Sequence, residues 1–297
     1  MRFHEITIAG LPCVKVEELF HFDMQQIMDS GQCFRIRELP VSEDNVRLSH
    51  SVVWRKDHVR VDTLTTPGEF IFHCDLHQMK NIWYSYFNLD MDYYVMVKEI
   101  LSEHPDPFLE KALEYGSGIR MLRQGLYEAL LAFLVSQNNN IKRITKSLDE
   151  MCKRYGDCMN DRGISYYSIP EYAQLLGKDF TGLGLGYRER YFQEMFAEKN
   201  AGSFICWIGG VRSMYDNYLS ARSLLMKAKG IGTKVADCIC LYGLHQMEAY
   251  PIDTWMRKII DQVYGGNFDT LPYEKCAGYV QQLQFYYFRS LGGEKHV

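Results

Sequence analysis

The chain has 297 residues, 47% of them apolar and 24% charged, with a formal net charge of -4. Such a composition excludes a disordered chain and allows one large core or two ordinary ones, while the net charge argues mildly against a nucleic-acid binder, whose domains usually run basic, although totals can hide a patch. Nine cysteines, an odd number at irregular spacing in a chain too long to need disulfide staples, point to a reducing interior.

The opening "MRFHEITIAG" carries charge from its second residue and has no apolar stretch of signal-peptide kind. The most apolar segment, "YEALLAFLVSQ", is too short to span a bilayer, so the expectation is a protein neither secreted nor embedded in a membrane. Along the first hundred residues "RFHEITI", "QCFRIREL", "SVVWRKDHVRVDTL" and "EFIFHCDL" alternate apolar and polar positions between turn signals, which predicts an antiparallel sheet. "MKNIWYSYFNLDMDYYVMVKEILSEH" then reads as helical, and "HPDPF" marks a boundary. Two domains follow: residues 1–105 carrying the sheet and residues 106–297 forming a helical region.

Beyond that boundary the pattern is helical to the end. "YEALLAFLVS" is a helix stopped by "QNNN", after which Ile141, Ile144, Leu148, Met151, Cys152 and Tyr155 recur at helical spacing. "TGLGLGYRERYF" is a glycine-rich turn entering a helix. "ARSLLMKAKGIGTKVADCICLYGL" is helix, tight hairpin, helix, and "YPIDTWMRKIIDQVY" is a loop into a helix whose expected buried face is Met256, Ile259, Ile260 and Val263. Lysines and arginines gather in small groups around Lys142, Arg188, Lys227 and Arg257; each group alone is equally well a solvated helix face.

Two features carry chemistry. The turn Gly230-Ile231-Gly232 between two helices allows a sharp reversal with exposed backbone N–H groups, which suits a phosphate oxygen; a plain helical hairpin also favours glycine. Lys234 stands in the first turn of the next helix, with Thr233 as the expected N-cap, where the helix dipole and any burial disfavour the ammonium and lower its pKa. A free amine there is a nucleophile. Nineteen residues on, Asp253 occupies an N-cap position, where backbone amides favour the ionised carboxylate. A surface lysine and a simple cap account for each residue taken singly.

Taken in order, "SGQCFRIRE", "YFNLD", "GIRMLRQ", "SQNNNIKRIT", "LGLGYRERY", "GIGTKVADCICL", "PIDTW" and "AGYVQQLQF" resemble the helix-hairpin-helix GPD superfamily of DNA glycosylases. Within it the chain resembles the 8-oxoguanine DNA glycosylase/AP lyases of eukaryotic type, over residues 20–288. The resemblance implies an α+β fold, with an antiparallel sheet like that of the TATA-binding protein followed by a helical region whose lobes flank a cleft for the flipped base. It further implies excision of 8-oxoguanine, preferentially opposite cytosine, through a Lys234 Schiff base assisted by Asp253, with β-elimination at the resulting site. In the family's terms Gly31, Cys238, Pro251, Gln281 and Phe285 line the damaged-base pocket, Gly31 through a carbonyl that accepts from the N7–H which only the oxidised base carries. Asn138, Arg143 and Arg188 correspond to readers of the cytosine left behind, and Tyr187 to the wedge that fills the gap. Gly230, Gly232, Val235 and Trp255 correspond to phosphate contacts.

Read without the resemblance, Phe285 is a core residue, Gln281 a surface glutamine, and Arg143 and Arg188 are phosphate clamps. The chain departs from the family pattern at Lys229, where a proline is usual, at Trp255, where eukaryotic members have a histidine, and at Cys33 in place of a serine. The implied partner is double-stranded DNA bound by a monomer, in the nucleoid of a prokaryote or the nucleus of a eukaryote, with no membrane. No cofactor is required. A monovalent cation on the hairpin carbonyls fits the resemblance, whereas an iron-sulfur cluster does not, since only Cys276 follows Asp253. "HCDLH" at residues 73–77 lacks further ligands for a metal. Two other readings stay open: a monofunctional alkylbase glycosylase, which has no lysine nucleophile, and a non-catalytic DNA-binding protein that uses the hairpin as a grip.

Overall fold

In the computed structural model, which describes residues 1–41 and 43–292, close-packed contacts divide the chain into two units. The first comprises Met1–Val52, Val59–Arg123 and the chain from Ile252 onward; the second comprises Val53–His58 and Gln124–Pro251. The sequence boundary near residue 105 falls inside the first unit.

The first unit opens with strands β1 (Arg2–Ile8) and β2 (Leu11–Glu17), joined by a two-residue turn in which Ala9 and Gly10 both have positive φ, the geometry that matches strand twist. Helix α1 (Met24–Asp29) is capped by Asp23, whose carboxylate accepts from the amides of Gln25 and Gln26. Strands β3 (Ile36–Leu39), β4 (Val46–Trp54), β5 (Asp57–Leu64) and β6 (Phe70–Phe72) complete a six-stranded sheet in the order β1-β2-β6-β5-β4-β3. The β1/β2, β2/β6, β5/β6 and β3/β4 pairings are antiparallel. The alternation in the sequence finds the sheet, but β2 and α1 carry too few periodic positions to be read from it.

The stretch read as a single helix is two. Helix α2 (Leu76–Gln78), a π-helical turn at Met79–Trp83 and helix α3 (Tyr84–Tyr86) end at Phe87, and α4 (Tyr93–Glu103) starts afresh on the Asp92 cap. The break has a cause that apolar periodicity does not register. Buried Asn88 takes a left-handed conformation, φ 53°, and its side-chain oxygen accepts from Arg123 Nε and Nη2 at 3.0 and 2.8 Å. Helix α5 (Pro107–Tyr115) begins where "HPDPF" places a boundary, with Asp106 as cap and Pro107 in its first turn. The core of this unit is aromatic: Phe22, Phe72, Trp83, Tyr86 and Phe87 meet edge to face. The guanidinium of buried Arg120 donates to the carbonyls of Phe20, His21 and Met91.

In the second unit α6 (Leu126–Ser136) is buried along nearly its whole length, and α7 (Ile141–Tyr155) shows the expected face of Ile144, Leu148, Met151 and Cys152. The region is not wholly helical. Strands β7 (Cys158–Asp161) and β8 (Ile164–Tyr167) form a hairpin through Arg162 and Gly163, both at positive φ. Four-residue strands are too short for alternation to separate them from helix. Helices α8 (Tyr172–Leu175), α9 (Glu189–Met195), α10 (Ala201–Ser213), α11 (Tyr218–Leu225) and α12 (Thr233–Leu244) follow, α12 packing on α6 and α11.

The chain then re-enters the first unit as α13 (Thr254–Val263) and α14 (Ala277–Ser290), the latter packed on α5 and α13. Of the expected buried face of α13, Met256 and Ile259 are buried, while Ile260 and Val263 are half-covered. Among the described residues no cysteine is in a disulfide. Among the described residues no helix is long and apolar enough to cross a membrane.

Candidate functional site

The hairpin between α11 and α12 is closed by its own backbone: Ala228 N donates to Leu225 O at 3.1 Å and Ile231 N to Ala228 O at 3.1 Å. Gly230 has φ 87°, which only glycine adopts without strain. The N-cap of α12 is Gly232, one residue before the expected Thr233, and no side chain caps the helix. The glycine brings the chain in extended, so Thr233 becomes the first helical residue. The first-turn amides of α12, Val235 among them, are thereby left for an outside acceptor, and Gly232 and Thr233 are exposed.

Lys234 is half-buried on that first turn. Its Nζ lies 5.5 Å from the centroid of the Phe133 ring of α6, and among the described residues it makes no hydrogen bond or ion pair. The hairpin itself is clamped from behind. Asp237, 4% exposed, accepts at one oxygen from Arg222 Nε at 2.6 Å and the Tyr218 hydroxyl at 2.8 Å, tying α12 to α11. Burial pushes the Asp237 carboxyl up, and the Tyr218 and Arg222 hydrogen bonds oppose that. Sequence reading passed over this clamp, although Tyr218 and Arg222 stand four apart on one helix face. Lys229, at the usual proline position, pairs with Glu194 at 2.5 Å.

In the first unit Asp253 caps α13 as expected: one carboxylate oxygen accepts from the amides of Trp255 and Met256, both at 2.9 Å. Trp255 packs edge-on against Phe288, with Lys258 Nζ 5.3 Å from its ring centroid. Gly31 follows the end of α1 with φ 80°. The residues on either side of it are tied down: Gln282 Nε2 of α14 donates to Ser30 O at 2.5 Å, and Gln32 bonds Arg120 O and Leu122 N at 2.9 Å each. Gln281 and Phe285 lie four apart on α14. Gln281 is 6% exposed rather than on the surface, and its side-chain oxygen is buried with no hydrogen-bond partner among the described residues. A buried acceptor without a donor costs about 1–3 kcal/mol. Phe285 is half-covered, with the Arg289 guanidinium 5.1 Å from its ring centroid.

In the second unit Cys238 and Pro251 are buried. Asn138 is exposed at φ 45°, and Arg143 is exposed in the first turn of α7, whose cap is Asn140. Arg188 is different. It is 4% exposed, and its guanidinium donates to the carbonyls of Gln137, Asn138 and Leu185, so it holds the loop that presents Asn138. Tyr187, 47% exposed, lies under that guanidinium at 4.6 Å, an aromatic side chain held out to solvent. The histidines of "HCDLH" are otherwise engaged or apart: His73 Nε2 meets buried Asp62 at 2.6 Å, and His77 is exposed. Among the described residues no group of three or more His, Cys, Asp or Glu could hold a metal ion.

Comparison with known proteins adds to this geometry. The N-terminal domain model of 8-oxoguanine DNA glycosylase matches residues 14–130. An N-glycosylase/DNA lyase of Saccharomyces cerevisiae is 34% identical over 159 residues, 50% of this chain and 42% of that protein. The matched region thus spans less than half the length of the yeast relative. Two solved structures cover the whole chain. MBOgg1 in complex with a low-affinity DNA ligand superposes with a TM-score of 0.81 at 30% identity, over 98% of this chain and 100% of that one. The Clostridium acetobutylicum 8-oxoguanine glycosylase/lyase bound to double-stranded DNA with cytosine opposite 8-oxoguanine gives 0.82 at 28% identity, over 98% and 99%.

Proposed function

From the premise that this chain belongs to the 8-oxoguanine DNA glycosylase family, we propose that it excises 8-oxoguanine from double-stranded DNA and cleaves the strand at the site it creates. The observation that carries the reading is Lys234: an amine on the first turn of a helix, directly after a glycine hairpin, with neither ion pair nor hydrogen bond among the described residues to occupy it.

The glycosidic carbon of a nucleotide stacked in a duplex is out of reach of the amine, so the lesion is extruded. As its glycosidic bond breaks, C1′ becomes oxocarbenium-like and the Asp253 carboxylate stabilises the charge. The Lys234 amine adds to C1′ with loss of a proton. Ring opening gives an imine, which acidifies the C2′ proton; loss of that proton expels the 3′-phosphate and breaks the strand. The Gly31 carbonyl accepts from N7–H of the oxidised base and would face a lone pair of guanine. The orphaned oxygen of Gln281 takes a donor from the base edge, and Phe285 and Cys238 lie on its two faces, with Pro251 beside them.

Opposite the lesion, Arg143 and Asn138 read cytosine and Arg188 fixes the loop that carries Asn138; arginine offers only donors, which suit the acceptors of cytosine. Tyr187 fills the gap. The amides of Gly230, Gly232 and Val235 and the Trp255 segment hold phosphates. The same proposal makes the protein a monomer that works wherever the chromosome lies and needs no cofactor. A monovalent cation on the hairpin is compatible with carbonyls such as those of Leu225 and Ala228, which accept one hydrogen bond each and keep a second lone pair.

Borohydride trapping tests the reading. Wild-type protein should form a covalent adduct with a duplex containing 8-oxoguanine opposite cytosine, and Lys234→Gln should form none. Unchanged activity in Lys234→Gln would remove the lysine chemistry altogether, and base release without an adduct in the wild type would mark a monofunctional enzyme.

A further inference from the structure

Tyr191 of α9 belongs to none of the groups assigned so far, yet it touches two of them. Its ring meets that of Tyr187 edge to face, centroids 6.1 Å apart and planes at 88°. A Cβ placed on Gly230 would lie 2.6, 2.7 and 2.9 Å from three atoms of the same ring, so the hairpin turn rests on Tyr191 with no room for a side chain between them. Arg190 locks the ring from a third direction: its guanidinium lies 4.9 Å from the centroid and its Nη2 donates to the phenol oxygen at 3.0 Å. Glycine at residue 230 therefore answers two demands, the left-handed turn and the approach of this ring.

We propose that Tyr191 is a positioning residue that fixes the spacing between the phosphate-gripping hairpin and the wedge Tyr187. The proposal rests on the function argued above. A hairpin that holds the backbone and an aromatic side chain that enters the base stack must act at one fixed offset along the duplex, and both lean on this ring. Arg188 stacks on Tyr187 and holds the Asn138 loop, so an error in the wedge passes to the cytosine readers as well.

The test compares Tyr191→Ala and Tyr191→Phe with wild type in single-turnover excision of 8-oxoguanine opposite cytosine and opposite adenine, with thermal melting run alongside. Misplacement by about 1 Å away from the reacting atoms costs on the order of 100-fold in rate. Tyr191→Ala should lose about 10- to 100-fold opposite cytosine and less opposite adenine, narrowing the discrimination, whereas Tyr191→Phe, which keeps the ring, should stay close to wild type. Equal losses opposite both bases, a Phe variant as impaired as the Ala variant, or an Ala variant with unaltered rate and discrimination would each overturn the proposal. If wild-type protein excises nothing, the functional reading fails by itself and binding decides Tyr191. Weaker binding of Tyr191→Ala than of Tyr191→Phe to a duplex with an abasic analogue opposite cytosine then supports the positioning role, and equal binding refutes it.

Discussion

The Asp237 clamp gives the most direct test of how the hairpin is held. In Asp237→Ala, the Arg222 guanidinium and the Tyr218 hydroxyl lose their common acceptor at 2.6 and 2.8 Å. Breaking a fully buried ion pair costs about 3–5 kcal/mol. The Arg222 side chain is 31% exposed and recovers part of its hydration, which puts the expected loss near the lower bound, about 3 kcal/mol. At about 2–4 °C per kcal/mol for a protein of this order of size, melting should fall by about 6–12 °C. Asp237→Asn keeps an acceptor, but it removes the charge opposite Arg222 and leaves Tyr218 a neutral bond, so it should lose about 1–2 kcal/mol. Calorimetry of Asp237→Ala, Arg222→Met and the variant carrying both supplies a double-mutant cycle, with an expected coupling of about 1.5–3 kcal/mol. Additive losses, or an Ala variant that melts with wild type, would show that α11 and α12 are held by apolar packing alone.

Other consequences can be read as readily. Asp253→Asn retains a good N-cap and should change stability by only a few tenths of a kcal/mol, while excision falls on the order of 100-fold with the lost charge; a parallel loss of melting temperature and rate would reduce Asp253 to a cap. Gln281→Leu removes an unsatisfied buried oxygen and should leave stability unchanged or raise it by up to about 1 kcal/mol, at the expense of excision; a large drop in urea midpoint would contradict the open acceptor. Burial pushes the Asp62 carboxyl up, but hydrogen bonds from His73, Arg60 and Ser49 outweigh it and hold the folded-state pKa below its ordinary value. Its contribution to stability is therefore complete above the ordinary carboxylate pKa of about 3.9 and lost as pH falls through the lower folded value. Urea midpoints of Asp62→Asn should accordingly depend less on pH below about pH 4 than those of wild type, and identical slopes would refute the assignment.

What the sequence discloses and what it withholds follow from the length scale of each signal. Helices α7 and α13 are legible because apolar spacing and a capping Asn or Asp agree over ten residues or more. The β7–β8 hairpin and α1 are shorter than the periods that would reveal them, and the interruption at Phe87–Asp92 depends on one left-handed asparagine anchored by Arg123, 35 positions away. At the site, Lys234 and Asp253 are legible because a cation or carboxylate at a helix start has local physics of its own. The burial of Gln281 is not, since three glutamines among "QQLQ" look solvated until α14 packs and buries all three. Arg188 shows the same limit: its positive charge is evident in the sequence, but its engagement by three backbone carbonyls belongs to the folded loop.

The bond from Gln282 to the Ser30 carbonyl joins positions 252 residues apart. During synthesis the segment around Gly31 leaves the ribosome well before the residue that secures it. Closing so long a loop costs only about 0.6 kcal/mol more for each doubling of its length, so the delay is one of order and hardly one of energy. A polypeptide that stops short of Gln282 has no such donor for that carbonyl, so the loop at Gly31 is secured in this way only after α14 has been made.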